Sequence, residues 1–355
     1  MKRFKSIVLA AAVFVVAAAQ VLPAQTVGAV SSAALSIVPK KNYTIEPGKS
    51  INDTLVIRNL DADKKLELNL RVVDFTFTDD GGTPKLMLAD DAPQTTWSLK
   101  PFLAVPKTVT IPPKTSKTLN MSVAIPAKHG AGSYYSAIVY SSGSAIEGGN
   151  VGLSASGVTL VFTSIPGKVN EDLQLQKFGA YSSEGKGNYV FFATDKPEMM
   201  AYTLMNNGNV TEAPAGSITV RDIFGNETVI NDVNPSSSLA LIGQTRTYTA
   251  CIKLQSEEVR FNGSSTRSKT CTEPNLWPGI YTAKLDLYYG QNGNRTQEIH
   301  GSALFFYFPW WFIVIMLIVI AVIAYFVRRA ILTVRGMVDG GGTNRARKAS
   351  SRRRR

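Results

Sequence analysis

The chain has 355 residues, 45% of them hydrophobic, enough to bury the cores of two ordinary domains. Its formal net charge of +12 sits at the two ends: Lys2, Arg3 and Lys5 at the start, and ten basic residues against the single acid Asp339 from Arg328 to Arg355. The 25 basic and 25 acidic residues in between cancel, so the charge speaks for targeting and topology and does not make the body between them a nucleic-acid binder; no nucleic-acid partner is expected.

The N-terminus reads as a secretory signal. Three basic residues precede an apolar run from Ile7 to Ala19, and small-residue cleavage candidates end at Ala24 or Ala29. Residues 1–29 are therefore expected to be removed; the alternative is an uncleaved N-terminal anchor, for which the run is short.

Strand patterning follows. Leu66, Leu68, Leu70 and Val72 alternate with Glu67, Asn69 and Arg71, a period of two that buries one face. The alternation slips at Val72-Val73 and resumes on Phe75 and Phe77, which predicts a β-bulge where the strand re-aims or changes sheet. Leu119, Met121, Val123 and Ile125 form another alternating strand stopped by Pro126, and Val158, Leu160 and Phe162 a third. A boundary falls near Pro166 to Asp172.

Beyond it, Tyr202 and Leu204 lead into the turn-forming Asn206-Asn207-Gly208-Asn209, echoing Asn59-Leu60-Asp61 in the first half. Tyr281, Ala283, Leu285, Leu287 and Tyr289 alternate toward Asn292-Gly293, a strong hairpin signal. No stretch between residues 33 and 300 keeps a helical period. Cys251 and Cys271 both fall in the exported portion and read as one disulfide, stabilising by roughly 3 kcal/mol in the chain-entropy model; free thiols are the alternative.

From Ala303 to Val327 there is no charged residue, and 25 residues suffice to cross a hydrocarbon core of ~30 Å. Phe305, Phe306, Tyr307, Trp310 and Trp311 crowd one end as an aromatic belt, and Arg328 and Arg329 close the other. The expected membrane-interface anchors are thus Tyr307, Trp310, Trp311, Arg328 and Arg329. The positive-inside rule places the tail in the cytoplasm and the rest outside a plasma membrane. A buried core helix would need neither the aromatic girdle nor the arginines.

Together these features predict an all-β ectodomain of two tandem immunoglobulin-like β-sandwich domains, residues 30–168 and 169–302. One transmembrane α-helix, 303–327, and a basic disordered tail, 328–355, complete the chain. A single large β domain is the fallback.

Signals for chemistry are scarce. The only histidines, His129 and His300, lie beside turn or strand-end residues, and no nucleophile motif, zinc spacing or phosphate-cradling loop occurs. Asp79-Asp80 and Asp90-Asp91 flank Gly81-Gly82, but the alternating acids of a calcium loop are missing, so a solvated turn is the simpler reading. Paired glycosidase carboxylates are set by the fold and stay open. Trp97 and Phe102 could stack on sugar rings or plug one end of a sandwich, and Tyr134, Tyr135 and Tyr140 divide between core and contacts. Seven N-x-[ST] sequons, from Asn42 to Asn294, are glycan sites only in a eukaryotic secretory pathway. No cofactor or metal is expected.

The first half opens with Leu35-Ser36-Ile37-Val38-Pro39 and Ile45-Glu46-Pro47-Gly48-Lys49-Ser50, and closes with Ile125-Pro126-Ala127-Lys128 before a strand from Gly132 to Tyr140. The second carries Asn207-Gly208-Asn209-Val210, then Pro214-Ala215-Gly216-Ser217-Ile218 and Asp222. With the overall layout, this resembles the WxL-interacting proteins of Gram-positive bacteria. The resemblance implies a peptidoglycan-binding β domain, a second β domain, a membrane helix and a basic tail. Cys251, Cys271 and the stretch between them depart from the pattern and leave the second domain's partner open.

The expected function is a non-enzymatic, membrane-anchored cell-surface binding protein. The resemblance supplies cell-wall peptidoglycan, surface proteins or both as partners, beside the lipid bilayer itself. The alternatives are a structural or accessory subunit of a membrane complex and, more remotely, a membrane-tethered glycan hydrolase.

Overall fold

Alternating apolar residues in short runs can be satisfied only by pairing strands and covering one face of each sheet, and the chain does this four times over. A computed structural model describes residues 35–77, 83–89, 91–142, 154–182, 187–261, 264–290 and 295–350, without the side chains of 154–156, 256–269 and 336–350. The signal segment, Asp79 to Gly82, Asp90, the Asn292-Gly293 turn, the sequons at Asn262 and Asn294, and Arg352 to Arg355 lie outside the described residues.

The first half contains β1 (Leu35–Ser36), β2 (Lys40–Thr44), β3 (Ser50–Asn59), β4 (Leu66–Val73), β5 (Phe75–Phe77) and β6 (Pro84–Leu86). It continues with β7 (Leu103–Ala104), β8 (Thr108–Ile111), β9 (Ser116–Ala124), β10 (Gly132–Ser142) and β11 (Ser154–Ile165). A four-stranded sheet, β1-β3-β9-β7, faces a five-stranded sheet, β2-β11-β10-β4-β8. Leu55, Ile57, Met121 and Val123 from the first meet Leu68, Leu70, Ile138 and Val161 from the second in one buried cluster. Each such side chain contributes about 1.5–3 kcal/mol on burial, and a one-residue slip of any strand would turn its whole set outward.

The second half repeats the plan with β12 (Leu173–Ser182), β13 (Asn188–Tyr189), β14 (Phe192–Ala193), β15 (Met199–Asn206), β16 (Ala215–Asp222) and β17 (Glu227–Ile230). Then come β18 (Thr245–Cys251), β19 (Leu254–Phe261), β20 (Ser264–Cys271), β21 (Gly279–Tyr289), β22 (Gln297–Tyr307) and the helix α1 (Trp310–Ser350). Again four strands, β13-β12-β15-β18, face five, β14-β22-β21-β16-β17. In both halves the last long strand of the five-stranded sheet runs parallel to a short edge strand, β2 on β11 and β14 on β22.

The repeated asparagine turns are equivalent in detail. Asn59 and Asn206 are both fully buried at a strand end. Each accepts the backbone N–H two residues on (Asp61 at 3.0 Å, Gly208 at 2.9 Å). Each also donates to carbonyls of a distant loop, Ile111 and Pro112 in one case and Ala240 in the other. A buried amide that makes these bonds fixes its turn, because losing them would strand polar groups at about 1–3 kcal/mol.

The phase slip after β4 is a change of sheet. β4 pairs in the five-stranded sheet through Val73, whereas β5 pairs with β6 in a separate hairpin. Between them, the buried Asp74 carboxylate accepts bonds from Ser98 Oγ at 2.6 Å, Ser136 Oγ at 3.0 Å and Thr95 N at 3.1 Å. The Cys251–Cys271 pair is disulfide-bonded with its Cα atoms 5.2 Å apart, and it closes the base of the β19–β20 hairpin, where Leu254 faces Cys271.

Two expectations about the C-terminus need correcting. Ala303 to Tyr307 are strand, paired with Ala283 to Gly279. Phe305 and Tyr307 point into the core while Leu304 faces outward, a period of two hidden inside an uncharged run. Pro309, whose carbonyl accepts Phe312 N at 2.9 Å, marks the true helix start at Trp310. At the other end, α1 runs on through Gly340 to Gly342 and reaches Ser350, where a disordered tail was predicted. Extending an existing helix costs no new nucleus, and Ala346, Arg345, Arg347 and Lys348 favour it.

Candidate functional site

The outer face of the first half's five-stranded sheet is not left to solvent. Val73, Phe75, Tyr135, Ala137 and Phe162 pack there around Leu241 of the second half. Trp97 stacks on Tyr135 with ring centres 6.0 Å apart and covers Gly243, at which an added Cβ would lie 3.6 Å from the indole. The Arg246 guanidinium lies over Phe77 and Tyr248 at 5.0 and 5.2 Å and donates to Leu239 O at 2.6 Å. Gln244 bonds both Thr76 Oγ1 and Phe77 N. Elsewhere in the joint, Ser133 N donates to Asn209 O at 3.0 Å and Asn209 Nδ2 to Ala131 O at 3.1 Å. Apolar area and these hydrogen bonds together lock the two halves.

A cleft of about 350 Å³ opens beside this joint, lined by Ser164 of β11 and by Glu212, Asp232, Asn234 and Arg295 of the second half. Glu212 is only 2% exposed. Its backbone is held by reciprocal bonds with Ala240, its Oε2 accepts Gly290 N at 3.2 Å, and its Oε1 has no partner. Burial, reinforced by the negative charge of Glu171, pushes its carboxyl up to about 7.

The four-stranded sheet of the first half carries a second, shallower groove of about 610 Å³. Asn52 stands opposite Ser122 and Thr54 opposite Asn120, and Val105 and Pro106 form one wall. The neighbouring Asp53 accepts both Lys41 Nζ and Tyr43 OH from β2 at 2.5 Å. The Lys41 bond comes first among the contacts that hold this carboxyl down to about 2, with Tyr43 and Thr54 N adding to it. This clamp ties the edges of the two facing sheets beneath a face of amides and hydroxyls suited to hydrogen-bonding sugar or peptide.

The other sequence candidates disperse. His129 lies between Phe102 and Tyr134, with ring centres 4.7 and 4.5 Å away, and burial lowers its pKa. His300 lies within β22 rather than at a strand end, exposed, with Asp286 at 2.7 Å and Glu298 at 3.3 Å raising its pKa. Tyr135 and Tyr140 are buried, and Tyr134 is half-buried. Among the described residues, no three His, Cys, Asp or Glu side chains come together to hold a metal ion. Of the expected membrane anchors, Trp310 and Trp311 are exposed at the helix start and Arg328 and Arg329 project from α1. Tyr307 is 5% exposed inside the second core, because β22 alternates and Tyr307 falls on its inner face; it is no interface anchor. Asp74, Asp53 and Glu212 went unread, since each depends on partners far away in sequence.

Fold and surfaces define a predominantly β protein of facing, mainly antiparallel sheets, followed by one helix, Trp310–Arg335, long and apolar enough to cross a membrane. No protein-family model matches the chain, and no curated protein matches it. Among solved structures it is similar to the class 5 fimbriae chaperone CfaA, at 12% identity and TM-score 0.34 over 78% of this chain and 99% of that one. It is also similar to the E. coli chaperone DraB (10%, 0.30, covering 75% and 97%) and the Pseudomonas aeruginosa CupB2 chaperone (7%, 0.28, covering 74% and 96%).

Proposed function

We propose that this chain is a non-enzymatic cell-surface binding protein of two immunoglobulin-like domains, held on a single plasma-membrane span, with its first domain directed at the cell wall. One observation carries the reading. α1 leaves the second sandwich beside Tyr307, whereas the joint to the first lies at the opposite end, around Asn209, Glu212 and Leu241. The 11 residues of β21 separate those ends by about 36 Å. The first sandwich is thus displayed at a fixed height, with its polar groove facing away from the joint's apolar cluster.

The basic residues after α1's apolar stretch favour a cytoplasmic C-terminus. The resemblance to WxL-interacting proteins supplies peptidoglycan as the wall ligand. Glu212 does not support a hydrolase: a general acid must touch the glycosidic oxygen, and this residue, though it lines the cleft, is only 2% exposed.

The test is co-sedimentation of the full chain, in lipid nanodiscs, with purified peptidoglycan. Asn52→Ala with Asn120→Ala removes two exposed side chains and leaves the core untouched, so it should abolish retention at unchanged thermal stability. Retention of this variant at the wild-type level would remove the groove as the wall site. No retention of either would remove peptidoglycan as the ligand.

A further inference from the structure

Strand register identifies which loops share the end of the second sandwich from which α1 departs. Gly279 pairs with Tyr307, Tyr281 with Phe305, Asp222 with Tyr281, and Phe192 with Phe306. The β16–β17 turn, the approach to β21 and the segment leaving β14, which runs parallel to β22, therefore all lie at that end. There the chain exposes Ile223 (62%), Phe224 (81%) and Trp277 (77%), beside Trp310 at 72%. Large apolar side chains left this open on adjacent loops mark a contact surface.

The tips are built to hold their shape. Asp222 Oδ1 accepts Phe224 N at 2.8 Å and Asn226 N at 2.9 Å, while Asn226 Nδ2 closes on Asp222 Oδ2 at 2.7 Å. Trp277 O accepts Tyr281 OH at 2.6 Å. Aromatic contacts continue from the β14 edge into the helix. Phe191 meets Phe306 at 5.0 Å, Phe192 meets Phe308 at 5.9 Å, and Phe308 stacks on Phe312 of α1 at 5.6 Å.

Helix length fixes where the bilayer surface falls. The 18 residues from Trp310 to Val327 rise about 27 Å, slightly less than a hydrocarbon core of ~30 Å. With Arg328 and Arg329 held at the inner surface, the core boundary lies at Trp310 and the interfacial layer extends roughly 5–7 Å beyond it. That layer coincides with the level of Tyr307 to Pro309, where the exposed tips sit.

We propose that this end of the second sandwich is a membrane-seating collar: Phe224 and Trp277 enter the headgroup layer of the bilayer that α1 crosses and fix the ectodomain's tilt. The inference rests on α1 spanning a bilayer. Aromatic rings are the side chains that favour this layer.

Hydroxyl-radical footprinting of the unmodified full chain, one copy per nanodisc, tests it. In the free fold Phe224 and Trp277 are far more open than Tyr288, which is 39% exposed on β21 near the opposite end. With a seated collar the order inverts: corrected for intrinsic reactivity, Phe224 and Trp277 are modified about fivefold less than Tyr288. Tyr325, 60% exposed on α1, reports the span independently and should be protected. Protected Tyr325 with Phe224 and Trp277 more reactive than Tyr288 overturns the collar and leaves the span standing. Reactive Tyr325 overturns both, and one copy per disc excludes protection by a second chain.

Discussion

Glu212 gives the joint a pH-dependent stability that one substitution should erase. Its carboxyl is pushed from an ordinary 4.5 to about 7, first by burial and then by Glu171. A carboxyl raised in this way binds its proton more tightly in the folded state than in the unfolded one. Stability is therefore highest below pH 4.5 and falls as the pH climbs through 7, the loss being complete about one unit above it. The shift corresponds to at most about 3 kcal/mol, and water at the mouth of the cleft reduces that to about 2 kcal/mol. Glu212→Gln keeps the shape and the acceptor for Gly290 N but removes the charge. Thermal unfolding of the detergent-solubilised chain, followed by tryptophan fluorescence, should show the variant higher by about 4–8 °C at pH 8. At pH 4.5 it should equal the wild type or fall slightly below it, because the amide brings donors that the pocket cannot satisfy. Identical pH profiles for the two proteins would refute the account, since Glu212 would then titrate as an ordinary surface acid.

Two further perturbations probe the frame. Gly132 has φ +146°, and an added Cβ would lie 2.6 Å from Asn209 O across the joint. Gly132→Ala should therefore break the Ser133–Asn209 bond and destabilise by about 1–3 kcal/mol, with faster amide exchange at Ser133 as the readout. Reducing Cys251–Cys271, which are separated by 20 residues, should cost about 3 kcal/mol in the chain-entropy model. Faster proteolysis within residues 251–271 and unchanged Trp97 fluorescence would place that loss at the hairpin and away from the joint.

Much of the β framework was legible because it is local. The alternation over Leu66 to Val72 gave a strand, and the slip at Val72-Val73 marked the departure from its sheet. Asn59 and Asn206 announced paired turns because a buried amide beside a turn has few other uses. The C-terminal boundary misled for an equally physical reason. An uncharged run reads the same whether it faces lipid or fills a core, and Phe305 and Tyr307 fill a core; Pro309 was the overlooked signal. Glu212 could not be read from its neighbours Thr211 and Ala213, since its burial comes from Ala240 and Gly290. The exposed Phe224 and Trp277 likewise acquire meaning only through the register that sets them beside α1.

The way β22 joins α1 also decides how this protein bears mechanical load. A pull on α1 against a distant anchor enters the fold at Tyr307 and runs lengthwise along β22. All 11 residue pairs between β22 and β21, from Gln297–Tyr289 to Tyr307–Gly279, then resist together in shear. A hairpin pulled open from one end would yield one pair at a time. The terminal strand, flanked by β14 and β21 and parallel to the direction of tension, makes the second sandwich a strut.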